Sequence, residues 1–115
     1  MRAPRLIGEA RAKELIFTGR TVGAAEAERI GLVNSVAGSG ALLEQGMLLA
    51  RRLAGKAPLA LAAAKKTICA GLEEKEVAQA VALEADNWAA LFDTQDQKEG
   101  MRAFIEKRSP VYRGR

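Results

Sequence analysis

The side chains that could do chemistry in this sequence are few in kind. Nine carboxylates in the second half, Glu73, Glu74, Glu76, Glu84, Asp86, Asp93, Asp96, Glu99 and Glu106, are the candidate proton carriers. Their spacing puts most of them on polar helix faces. There solvent keeps a carboxyl acidic and poorly matched to general acid work, so solvation or helix capping explains them. Lys65 and Lys66 form an adjacent pair on an Ala-rich stretch. A desolvated lysine can be a Schiff-base nucleophile, but two neighbouring cations fit a solvated helix face better. Cys69 is the single cysteine, which rules out an intramolecular disulfide, and its neighbours Ile68 and Ala70 suggest a small buried hydrophobe. Histidine is absent, which removes Ser-His and Cys-His nucleophile pairs and the usual zinc sites. The glycines punctuate helices and form no Walker or Rossmann phosphate loop.

Two features stand above that background. Trp88, the only tryptophan, lies on an apolar stripe and is either a core anchor or a surface on which a ring can stack. The run Glu106-Lys107-Arg108 ends a helical pattern. Its cations either answer the helix dipole or grip a phosphate.

The elements that must position these residues are helical. Glu9 to Phe17 are strong helix formers, and a short second helix over Ala24 to Ile30 stops at Gly31 as its C′ residue. Leu32 to Val36 is the only β-like run, too short to build a sheet, and is expected to be a connector. Leu43, Met47, Ala50, Leu53 and Ala54 recur at helical spacing up to Gly55, and Pro58 suits the first turn of a helix running to about Gly71. The longest pattern runs from about Glu74 to Phe92. Thr94 with Gln97, or Asp96 with Glu99, has capping-box spacing and opens a helix that would turn Met101, Phe104 and Ile105 toward a core and end near Lys107. Pro110 and the tail from Tyr112 to Arg115 are expected to be extended or loose. The expectation is a mainly α chain of about five to six helices with one short extended connector. Residues 1–36 form a hairpin and connector, and residues 37–115 form a helical domain.

Eighteen Lys and Arg oppose fourteen Asp and Glu, for a formal charge of +4 concentrated at both ends. Polyanion binding through those ends is conceivable, but only Tyr112 interleaves an aromatic with them, so nucleic acid is not the expected partner. No apolar run approaches the length of a membrane span, and the first residues lack a secretory apolar stretch. With one unpaired cysteine, a soluble, cytoplasmic setting is expected.

Several stretches, in order and at familiar spacing, carry a resemblance. They are Arg2 to Gly8 (RAPRLIG), Ala12 to Arg20 (AKELIFTGR), Ala24 to Asn34 (AAEAERIGLVN), Pro58-Leu59-Ala60 leading to Ala64-Lys65, and Asp96 to Arg108 (DQKEGMRAFIEKR). Together they resemble the C-terminal region of the enoyl-CoA hydratase/isomerase (crotonase) family, and the similarity spans essentially the whole chain.

The resemblance implies a larger subunit, in which an N-terminal spiral of ββα turns holds most of the CoA site and a C-terminal helical region makes trimer contacts. The full-length reaction would be syn addition of water to a 2-enoyl-CoA in fatty-acid β-oxidation or related acyl-CoA metabolism, as a trimer or dimer of trimers. The oxyanion-hole amides and catalytic glutamates of such enzymes match positions upstream of this region. The resemblance therefore assigns no catalytic residue here and no cofactor beyond the coenzyme A of the substrate, and the chain alone is expected to be inactive. It gives Trp88 and Lys107 roles at a CoA site shared across a subunit interface, Trp88 against the adenine and Lys107 toward the phosphates. An enoyl-CoA double-bond isomerase fragment, or a non-catalytic self-associating helical module, are the alternatives.

Overall fold

The computed structural model describes residues 2–115. Seven α-helices occur among them: α1 (Ala3–Ile7), α2 (Glu9–Thr18), α3 (Ala24–Arg29), α4 (Leu42–Ala54), α5 (Pro58–Gly71), α6 (Val77–Ala89) and α7 (Gln95–Ile105). A single 3-10 turn, Ala90–Asp93, joins α6 to α7, and no strand is found among the described residues. The Leu32 to Val36 run is an irregular connector. The chain divides into two compact units, Met1–Gly46 and Met47–Arg115.

In the first unit, Pro4 opens α1 and Gly8, at φ +82°, turns the chain directly into α2. Ile7, Ala12 and Ile30 form a small core against which Leu15, Val22 and Leu32 pack. Helix α3 ends where the sequence places its stop. The N–H of Leu32 reaches the Ala27 carbonyl at 2.8 Å and that of Gly31 reaches Glu28 at 3.0 Å, with Gly31 at φ +80°. This is a Schellman cap, whose left-handed residue is almost free for glycine. Arg20 ties α2 to α3. Its Nε donates to Glu14 at 3.0 Å, and its two terminal nitrogens donate to both Glu26 oxygens at 3.0 and 2.9 Å. The hydrogen bond from Arg20 holds the Glu26 carboxyl below its ordinary value.

In the second unit α5 packs on α6, and the Asn87 amide donates to the Thr67 hydroxyl at 2.9 Å between them. The sequence pattern runs α6 on to Phe92, but the helix stops at Ala89 and the 3-10 turn carries Leu91 and Phe92 instead. Thr94 caps α7, accepting the N–H of Gln97 at 3.2 Å, so the first of the two spacings is the one used.

Several apolar side chains expected inside lie outside. Leu43, Met47 and Leu53 of α4, and Met101, Phe104 and Ile105 of α7, are all exposed, and no residue of α4 is buried. Cys69 is exposed as well, against the expectation of burial. An apolar stripe records which face favours burial, and these helices find no cover for it within the chain.

Candidate functional site

Helix α7, from its first turn on, and the chain beyond it form the most tightly built polar region. Pro110 and the tail from Tyr112 to Arg115, expected to be extended or loose, are non-helical and are strapped back along the helix. Val111 donates its N–H to Glu99 at 2.9 Å, and Arg113 and Gly114 donate to the two oxygens of Asp96 at 2.7 and 2.8 Å. The Asp96 N–H in turn donates to the Arg115 carbonyl at 3.0 Å. Asp96 is 3% exposed, so it is no solvated surface carboxylate but the buried anchor of the strap. Gly100 is what lets the strap lie close, since a Cβ there would stand 3.3 Å from the Tyr112 hydroxyl.

Arg108 locks the far end. It donates to both oxygens of Glu99 at 2.6 and 2.9 Å and to Glu106 at 2.6 Å. That hydrogen bond and the Val111 N–H pull the Glu99 carboxyl down from an ordinary 4.5 to about 2. Between Glu106 and Arg108 sits Lys107, exposed, at φ +54°, the only non-glycine residue with positive φ among those described. Three residues back, Phe104 presents the most exposed large apolar side chain, 83% accessible.

Trp88 lies elsewhere in the same unit. It is 65% exposed and meets Phe92 edge to face, ring centroids 5.9 Å apart at 77°. It is not a core anchor. The ring walls an apolar cavity of about 410 Å³ together with Leu59, Leu91, Phe92, Met101 and Tyr112. Lys107 is not among the walls of that cavity, so the two residues singled out from the sequence are not brought into one cavity. Sequence reasoning missed Phe104 as a surface residue.

No group of three or more His, Cys, Asp or Glu side chains is placed to hold a metal among the described residues. No helix of the described residues is long and apolar enough to cross a membrane. Lys65 and Lys66 are exposed on α5.

Residues 1–115 match the family model described as Enoyl-CoA hydratase/isomerase. The chain belongs to the enoyl-CoA hydratase/isomerase family. It is 43% identical over 107 residues to a crotonyl-CoA hydratase of Syntrophomonas wolfei, covering 93% of this chain and 41% of that protein. It is 40% identical over 118 residues to the mitochondrial enoyl-CoA hydratase domain-containing protein 2 of Mus musculus, covering 99% of this chain and 40% of that one. The crystal structure of an enoyl-CoA hydratase from Bacillus anthracis superposes with a TM-score of 0.95 at 39% identity, over 100% of this chain and 44% of that chain. The chain thus spans about two fifths of the length of the relatives it matches. Its fold is the helical C-terminal region of the crotonase fold.

Proposed function

We propose that this chain is the C-terminal part of an enoyl-CoA hydratase-like enzyme, serving subunit assembly and the rim of the coenzyme A site, and that it turns over no substrate by itself. The observation that carries the reading is the end of α7, where an exposed ring, Phe104, is followed three residues later by an exposed cation, Lys107. A ring face and a cation are what an adenine nucleotide with phosphates requires. Trp88, exposed on its own cavity, is the second ring assigned to the ligand, on the adenine side of the rim. The full reaction in this proposal is syn hydration of 2-enoyl-CoA thioesters by a trimer or dimer of trimers in the cytoplasm, although the mouse relative is mitochondrial by name.

The engagement of the two carboxylates built into the strap supports inactivity of the chain alone. Asp96 and Glu99 both already accept hydrogen bonds, and Glu99 is held near 2, far from a useful proton carrier at neutral pH. Measurable hydration of crotonyl-CoA by the purified 115-residue chain overturns that part of the proposal. Titrating coenzyme A tests the rim: a saturable change in Trp88 fluorescence that Lys107→Ala weakens supports it.

A ligand-free helical assembly module is the second reading, favoured by α4, on which Leu42 and Leu43 are 75% and 78% exposed. It requires that coenzyme A leave the fluorescence unchanged.

A further inference from the structure

Three helices of this chain end on a left-handed residue, and the residues chosen there differ in kind. Helices α2 and α3 use Gly19 at φ +63° and Gly31 at φ +80°. Helix α7 ends with the same bonding pattern as α3. The Arg108 N–H reaches the Ala103 carbonyl at 3.0 Å and the Lys107 N–H reaches Phe104 at 3.3 Å, but its left-handed residue is Lys107 at φ +54°. A lysine there crowds its Cβ against the backbone, and glycine would remove the crowding. Such a conformation persists only where its surroundings over-determine it.

The surroundings do so on both sides. The residue after Lys107 is pinned by three charge-assisted contacts, from Arg108 to both Glu99 oxygens and to Glu106. Glu99 is itself fixed by the Val111 N–H, so the clamp runs from the middle of α7 through Arg108 to the strapped tail. Lys107 makes none of these side-chain contacts. Its backbone is held by the cap, and its side chain is exposed and takes no part in the clamp.

We propose that Arg108 and Glu99 are positioning residues whose clamp holds Lys107 in the left-handed conformation, aiming its ammonium at the phosphates of the coenzyme A ligand. The inference rests on the reading of Lys107 given above and adds to it the device that presents the cation. A lysine on an ordinary frayed helix end loses rotamer and backbone freedom on meeting a phosphate. A lysine whose backbone is already fixed loses less and binds more tightly for the same contact.

The test uses the full chain, with chemical shifts in ¹H–¹⁵N spectra followed during titration with coenzyme A and with 3′-dephospho-coenzyme A. Lys107→Ala is expected to weaken coenzyme A about tenfold, the loss of one hydrogen bond to a charged group. Arg108→Gln and Glu99→Gln are expected to weaken it about three- to tenfold, and Arg108→Gln combined with Lys107→Ala no further than Lys107→Ala alone. The backbone coupling constant of Lys107 reports the left-handed conformation directly and should change to a right-handed or averaged value in Arg108→Gln. Lys107→Gly keeps the cap, raises the Tm by about 3 °C and still loses the affinity. If the unaltered chain gives no saturable shifts, or Lys107→Ala binds normally, the ligand role of Lys107 falls and this inference with it. If Lys107→Ala weakens binding but Arg108→Gln does not, or if the two effects simply add, only the positioning inference is overturned. Dispersed spectra certify folding, and Arg108→Lys, which keeps the charge but loses the fork, replaces Arg108→Gln should that variant unfold.

Discussion

The carboxylate of Asp96 accepts the backbone N–H of Arg113 at 2.7 Å, joining the first turn of α7 to a tail seventeen residues further on. A second bond, to Gly114 at 2.8 Å, uses its other oxygen. Replacement by Asn keeps one acceptor of the two and removes the charge. Asp96→Asn should cost about 1.5–3 kcal/mol in urea denaturation, and amide exchange at residues 111–115 should quicken. Unchanged exchange there would show that the strap does not depend on this carboxylate.

The second carboxylate on the strap gives a pH dependence. Glu99 titrates at about 2 in the folded chain against an ordinary 4.5, first because of the Arg108 hydrogen bond and then because of the Val111 N–H. A group whose folded pKa is depressed contributes its stabilisation above the unfolded value and loses it as pH falls through the folded one. The thermal midpoint should therefore drop between about pH 4.5 and 2, and Glu99→Gln should flatten that portion of the curve. An identical pH profile in Glu99→Gln would place the acid sensitivity elsewhere.

The Thr94 hydroxyl caps α7 through the Gln97 N–H at 3.2 Å. Thr94→Ala should destabilise the second unit by about 1 kcal/mol, while Thr94→Ser stays within a few tenths. Equal losses in the two variants would argue that the methyl group, not the cap, matters.

Helix α4 bears the broadest uncovered apolar face, Leu42, Leu43 and Met47 among it. Sedimentation velocity of the full chain should show association that rises with concentration. Leu43→Glu combined with Met47→Glu should shift the distribution to smaller species. Association that persists in the double variant would assign the interface to another face.

Gly31 sits at φ +80° at the end of α3. Gly31→Ala should cost about 1–2 kcal/mol through backbone strain alone, seen in thermal melts, since nothing closer than the Leu6 carbonyl at 3.7 Å would meet the new methyl.

Much of the local structure was legible in the residues. Glu9 to Phe17, the stop at Gly31, the start at Pro58 and the cap at Thr94 each rest on a short-range rule that a single turn of chain can satisfy. The misplaced end of α6 has a physical reason. Leu91 and Phe92 continue the apolar stripe equally well on a 3-10 turn, so periodicity cannot distinguish the two. The strap was hidden because its bonds join Asp96 to Arg113 and Glu99 to Val111, partners set by tertiary structure rather than by spacing. Burial was the largest miss. The stripes of α4 and α7 were correctly seen as apolar, but a stripe does not say which surface covers it. Of the candidate site, Lys107 was visible as a cation near a helix end, while its left-handed backbone and the exposure of the Phe104 ring emerged only in three dimensions.

The sole tyrosine, Tyr112 on the strap, and the sole tryptophan, Trp88 on α6, wall the same cavity. Tyrosine and tryptophan are an energy-transfer donor and acceptor, and this cavity carries one of each on its walls. Excitation energy absorbed by Tyr112 should pass to Trp88 while the tail is seated and should fail to do so when the tail lifts. The seating of the last residues can thus be followed by intrinsic emission in the unlabelled chain.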